Sequence, residues 1–182
     1  ADFSTTVTAG SVQLPFGISK LVGGVAFSLG LILVIVAGAE LFTGNNLKVM
    51  ALASGKITPI ELLRSWLIVY VGNFVGALAT AGILLVSCHY MHGQGAIGEN
   101  VLAIATAKCK LTFQSAFALG VLCNALVCLA VWLCYSARST TDKILSIIFP
   151  ITAFVAAGFE HCVANMFLIP MGLFIKTAAP AE

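Results

Sequence analysis

Ala157-Gly158-Phe159-Glu160-His161-Cys162-Val163-Ala164-Asn165 is the stretch on which the fold turns. It interrupts an apolar run that goes from Ile144 to Ala157 and resumes from Cys162 to Ile175. Neither piece reaches the roughly 20 residues a membrane helix needs, but together they can cross once. Far earlier, Ala37-Gly38-Ala39-Glu40-Leu41-Phe42-Thr43-Gly44-Asn45 breaks a second apolar run, Leu21 to Ala53. Both stretches fit A-G-x-E-x-x-x-x-N. Paired broken helices in two halves of a membrane protein point to a substrate site near the midplane. Breaking a helix frees N–H and C=O groups that lipid cannot satisfy, so they face a cavity, water or substrate. A half-helix starting at such a break also presents the positive end of its dipole, which favours an anion.

Composition names the solvent. Hydrophobic residues make up 60% of the chain and charged residues 9%, with a mean hydropathy of +1.06. A soluble domain carries about 25% charged residues, and nine cationic with seven acidic side chains cannot coat 182 residues. The surface therefore meets a lipid bilayer, where only helices or closed barrels survive. Long, non-alternating runs select helices. A net charge of +2 is too small to imply nucleic acid. Cys88, Cys109, Cys123, Cys128, Cys134 and Cys162 lie mostly in apolar runs without C-x-x-C spacing, and read as small hydrophobes. The start, Ala1 to Ser19, has no cleavable-signal pattern.

Between the breaks, Thr58 reads as a helix N-cap with Pro59 as first helical residue. Trp66 to Cys88 and Leu111 to Tyr135 are full-length spans. His89 to Lys110, with three glycines, reads as a loop holding at most a short helix, and Ser136 to Lys143 as a tight polar turn. The expectation is an all-α, polytopic transmembrane domain over residues 1–182, with two continuous and two discontinuous crossings. An inverted repeat of three spans each requires one further helix on either side, so the chain reads as the middle of a six-span protomer. Lys56, Arg64, Arg138 and Lys143 fall on one side and Lys20, Lys108, Lys110 and Lys176 on the other. The first set occupies compact turns, which assigns that side to the cytoplasm.

Glu160 and His161 sit where an ionisable group costs about 2.5–3.5 kcal/mol, which marks a functional position. An ordinary histidine, with a pKa of about 6.5, can hand a proton to a weak-acid anion near neutral pH. The plainer alternative is an imidazole satisfied by one buried backbone partner. Lys108 is a candidate partner for Glu160, against the alternative of a lysine in a solvated loop. Asn73 and Asn124 read first as interhelical hydrogen-bonding residues. Phe27, Leu31 and Phe154 are apolar residues upstream of the breaks. His89 and His92 lack a third ligand at metal-site spacing, and no nucleophile, metal or phosphate motif is present. The chain therefore reads as neither an enzyme nor a metal or cofactor protein.

Leu41-Phe42-Thr43 after A-G-A-E, and G-F-E-H-C-V-A-N-M-F-L-I-P-M-G from Gly158 to Gly172, resemble the two signatures of the formate/nitrite transporter family. The resemblance extends through Lys20-Leu21-Val22-Gly23-Gly24, Val71-Gly72-Asn73-Phe74-Val75-Gly76 and Asn124-Ala125-Leu126-Val127-Cys128, and within the family is strongest to bacterial formate channels. It implies a homopentamer in the bacterial inner membrane with an aquaporin-like fold and one pore per protomer. His161 would stand at the pore centre and Thr43 in a mobile loop at the first break. Phe27, Leu31, Leu41, Phe42 and Phe154 would form the apolar constrictions. Lys108, Glu160 and Asn165 would form a polar relay around the histidine, with Asn124 near the mobile loop. The family's six spans imply that the first and last are absent here. The expected cargo is formate or a similar small monovalent anion, nitrite and hydrosulfide included, passed directly or after proton transfer involving His161. A neutral-solute channel is the alternative, against which neither break carries N-P-A.

Overall fold

The computed structural model describes residues 16–178. The reading of the chain's first residues and the expected flanking spans lie outside that range. Among the described residues the structure is helical throughout. The order is α1 (Phe16–Ala37), α2 (Phe42–Asn45), a 3-10 turn (Asn46–Lys48), α3 (Val49–Ala53), α4 (Pro59–Val86), a 3-10 turn (His89–Met91), α5 (Ala96–Cys109), α6 (Phe113–Ser136), α7 (Thr140–Ala156) and α8 (Cys162–Ala178). Gly17–Ala37, Pro59–Val86 and Phe113–Ser136 are each long and apolar enough to cross a membrane.

Local chemistry sets these limits. Thr58 and Glu61 form a reciprocal capping box with Pro59 in the first turn of α4, which satisfies two orphan amides at once. Ser139 and Asp142 form the same box at α7, so only Ala137–Ser139 remain outside helices where a longer turn was expected. The first crossing also departs from expectation. α1 starts at Phe16, ahead of the apolar run, and is long enough to span without its continuation.

The region His89 to Lys110 departs most. It contains α5, a 14-residue helix, where a loop with at most a short helix was expected. Gly98, one of the glycines that suggested a loop, lies inside α5 because the helix passes close to Tyr90. A Cβ there would stand 3.1 Å from the Tyr90 carbonyl oxygen.

Two packing groups hold the bundle. α7 packs on α1 and α6, and α8 packs on α4 and α5. The first group buries Leu31, Val127, Ile147, Ile151 and Phe154; the second buries Ala81, Val101, Met171 and Ile175. Small residues bring the backbones together: a Cβ on Gly172 would lie 2.5 Å from that of Ala105. The two halves of the second broken crossing therefore belong to different cores, and the break lies where those cores meet. α4 leaves Leu67 66% and Val75 58% exposed, surface suited to lipid or another protein copy.

Candidate functional site: two helix breaks that meet at a histidine

Each break begins with a glycine in the left-handed region, Gly38 at φ +78° and Gly158 at φ +72°. The N–H of Gly38 donates to Val34 O (3.0 Å), a single-bond C-cap. The N–H groups of Gly158 and Phe159 donate to Val155 O (3.1 Å) and Phe154 O (3.0 Å), a Schellman cap. Residues 39–41 and 159–161 then lie outside helices, until α2 begins at Phe42 and α8 at Cys162. In both breaks the asparagine that ends the shared motif reaches back to the glutamate: Asn45 Nδ2 donates to Glu40 Oε2, and Asn165 Nδ2 to Glu160 Oε2 at 2.8 Å. Each glutamate also meets a lysine, Lys48 at 3.5 Å from Glu40 and Lys108 at 2.7 Å from Glu160. The sequence repeat is thus a repeat of hydrogen bonds. Its two copies differ in burial, with Glu40 59% exposed and Glu160 13% exposed.

His161 joins them. It is 7% exposed, and its Nδ1 accepts the Ala164 N–H at 3.1 Å. The imidazole is therefore the N-cap of α8, bonded to the third amide of its first turn. Its Nε2 lies 3.2 Å from Thr43 Oγ1, on the other break. An Nδ1 that accepts a hydrogen bond carries no proton, so in the neutral ring the proton sits on Nε2 and is donated to Thr43. The ring stacks on Phe154 (centroids 5.8 Å, interplanar angle 20°), and Phe27 stands edge-on to both.

Cavities lie in sequence about this point. One of about 700 Å³ carries Glu40, Lys48 and Lys56; one of about 500 Å³ is mostly apolar; one of about 320 Å³ carries Lys20, Lys108 and Glu160. Leu31, Val34 and Leu41 line both the first and the second. Phe27, Phe154 and His161 line both the second and the third. Two cavities that carry charged residues thus adjoin a mostly apolar one, sharing Leu31, Val34 and Leu41 on one side and Phe27, Phe154 and His161 on the other.

The other residues singled out from sequence divide. Lys108, Glu160 and Asn165 come together beside His161. Phe42 does not line the cavities; its ring packs edge-on against Tyr70, 5.1 Å between centroids. Asn124 makes no bond to the relay, and its Oδ1 is buried without a partner among the described residues. His89 and His92 have ring centroids 5.2 Å apart; the described residues hold no cluster of three or more metal-ligating side chains. Sequence reasoning undervalued α4. Asn73 Oδ1 accepts the Phe42 N–H at 2.9 Å, its Nδ2 donates to Glu40 O at 3.0 Å, and Trp66 Nε1 donates to Asn45 O at 3.1 Å. The spacing of Trp66, Tyr70 and Asn73 along one helix face was the available signal.

Comparison with known proteins agrees with this architecture. The family profile described as formate/nitrite transporter matches residues 2–181. The chain is 51% identical over 180 residues to the formate channel FocA of Escherichia coli strain K12, covering 99% of this chain and 63% of that protein. It is 49% identical over 171 residues to the formate channel FocA of Haemophilus influenzae, covering 94% and 60% respectively. The chain thus spans less than two thirds of the length of these relatives. A solved structure described as a pentameric formate channel with formate bound superposes with a TM-score of 0.89 at 52% identity, covering 98% of this chain and 70% of that one. A structure described as an FNT family ion channel gives 0.77 at 34% identity, covering 88% and 64%. With the profile spanning nearly every residue, the chain belongs to the formate/nitrite transporter family.

Proposed function

We propose that the protein is a channel of the bacterial inner membrane for formate and similar small monovalent anions. It works as a homopentamer with one path through each protomer, and His161 is the central polar group of that path. The observation that carries this reading is the His161–Thr43 contact, which puts one hydrogen-bond donor between apolar side chains at the meeting of two helix breaks. The names of its relatives, formate channels at about half identity, supply the cargo.

Lysines in both charge-bearing cavities attract the anion. Phe27, Phe154, Leu31 and Leu41 then oppose it, because desolvating a charge between apolar side chains is costly. The His161 Nε2–H offsets part of that cost by turning from Thr43 to the carboxylate. Proton transfer places a further demand on the ring. A neutral imidazole that gave up its Nε2 proton would become an imidazolate, so His161 must first gain a proton at Nδ1. That breaks the Ala164 bond. The Ala164 N–H therefore favours a second reading, in which His161 stays neutral and acts as a stationary donor to a passing anion.

The test is labelled formate uptake into proteoliposomes across a pH range, with an internal pH dye and with His161→Asn in parallel. Uptake with one proton per formate in the wild type, uncoupled in the variant, supports protonation through His161. Uptake without acidification supports the stationary donor. Absence of formate flux from intact pentamers overturns the formate reading, and faster glycerol than formate flux replaces it with a neutral-solute channel.

A further inference from the structure

Asn73, in the middle of α4, bonds to the first break at two points. Its side chain accepts from the N–H of Phe42, the first residue of α2, and donates to the carbonyl of Glu40, in the non-helical stretch ahead of α2. A broken helix leaves such groups without partners. At the second break the solution is local, since His161 caps its own helix through Ala164. Leu41 occupies the matching position in the first break, and α2 has no side-chain cap. The first break is completed from outside, by Asn73 together with Trp66 on Asn45 O and Tyr70 against the Phe42 ring.

We propose that Asn73 is the positioning residue that aims Thr43 at His161, by clamping segment 40–45 to α4. Thr43 follows Phe42 directly, so the amide that Asn73 holds sets the direction in which the Thr43 side chain leaves the chain. This rests on the reading of the Thr43–His161 contact as the working point of the channel. The polar side chain at position 73 must both accept and donate. Aspartate in its place accepts from Phe42 at any pH, but donates to Glu40 O only when protonated. The charged or titratable groups about it are Glu40 and Lys48 on the first break and its following turn, Tyr70 on α4, Cys128 on α6, whose thiol donates to Thr43 O at 3.6 Å, and His161 at the start of α8.

The experiment is amide hydrogen exchange on the whole protein in lipid nanodiscs, comparing wild type, Asn73→Ala and Asn73→Asp from neutral to acidic pH. Losing the clamp raises exchange across residues 39–48 by about tenfold, while residues 158–166 exchange as in the wild type. Asn73→Asp shows the rise at neutral pH and returns towards the wild type on acidification, each pH being referred to wild type at that pH. Formate uptake by the same variants follows the same order, with acid-restored flux in Asn73→Asp. Unchanged exchange in residues 39–48 in both variants overturns the proposal, and so does an equal rise at both breaks. If the exchange pattern holds but wild-type protein moves no formate, the clamp stands and the channel reading falls.

Discussion

Thr43 Oγ1 and His161 Nε2 lie 3.2 Å apart although 118 residues separate them in the chain. The contact joins the first turn of α2 to the N-cap of α8. Because His161 has two jobs, capping and donation, substitutions can separate them.

Asparagine at position 161 keeps an acceptor for the Ala164 amide and loses the Nε2 donor. His161→Ala loses both and should be destabilised by about 1 kcal/mol, the usual value of an N-cap. His161→Asn should unfold close to wild type in detergent, yet share with His161→Ala a reduced rate of formate uptake. Equal destabilisation of the two variants would mean that the Ala164 bond contributes nothing.

The Lys108–Glu160 pair is 16% and 13% exposed, so removing one partner strands a charge. Lys108→Met alone should cost about 3–5 kcal/mol. Glu160→Gln in the same chain should recover most of it, because glutamine still accepts from Asn165. A double-mutant cycle by thermal unfolding measures the coupling, and simple additivity would show that the pair is not coupled.

Gly38 and Gly158 have open space where a Cβ would stand, so alanine costs only the left-handed backbone, about 1–2 kcal/mol at each site. Gly172→Ala meets Ala105 and should cost a similar amount for a different reason, overpacking. Ala105→Gly should rescue Gly172→Ala and leave Gly38→Ala and Gly158→Ala unimproved. Unfolding midpoints of the single and paired variants separate the two causes.

Asp142 lies in the first turn of α7, ahead of the apolar run that starts at Ile144. The Ser139 hydroxyl and the backbone N–H groups of Arg138 and Ser139 hold its carboxyl below the ordinary range. A lowered folded value stabilises the protein above the unfolded pKa of about 3.9, and that contribution is lost as pH falls through the folded value. The wild type should therefore melt above Asp142→Ala at neutral pH, and the gap should close on acidification below about pH 4. A gap that persists in acid would assign the effect to packing.

Much of this molecule is written in residue type and spacing. Bilayer placement follows from the scarcity of charge, because desolvation acts on each side chain wherever it lies. The two breaks are legible because Ala-Gly-x-Glu puts a left-handed glycine and an ionisable group inside an apolar run, and the Thr58 cap because its signal is complete within four residues; the same box at Ser139 was hidden inside what read as a polar turn. The length of α5 was hidden, since its Gly98 answers to Tyr90 and not to a turn. Tertiary structure alone decided which partners the breaks acquire. Lys108 reaches Glu160, Asn73 holds the α2 end of the first break, and Phe42 turns to Tyr70, each because helices distant in sequence pack side by side. Local pattern can say that a broken helix leaves groups unsatisfied; only packing says which side chain satisfies them.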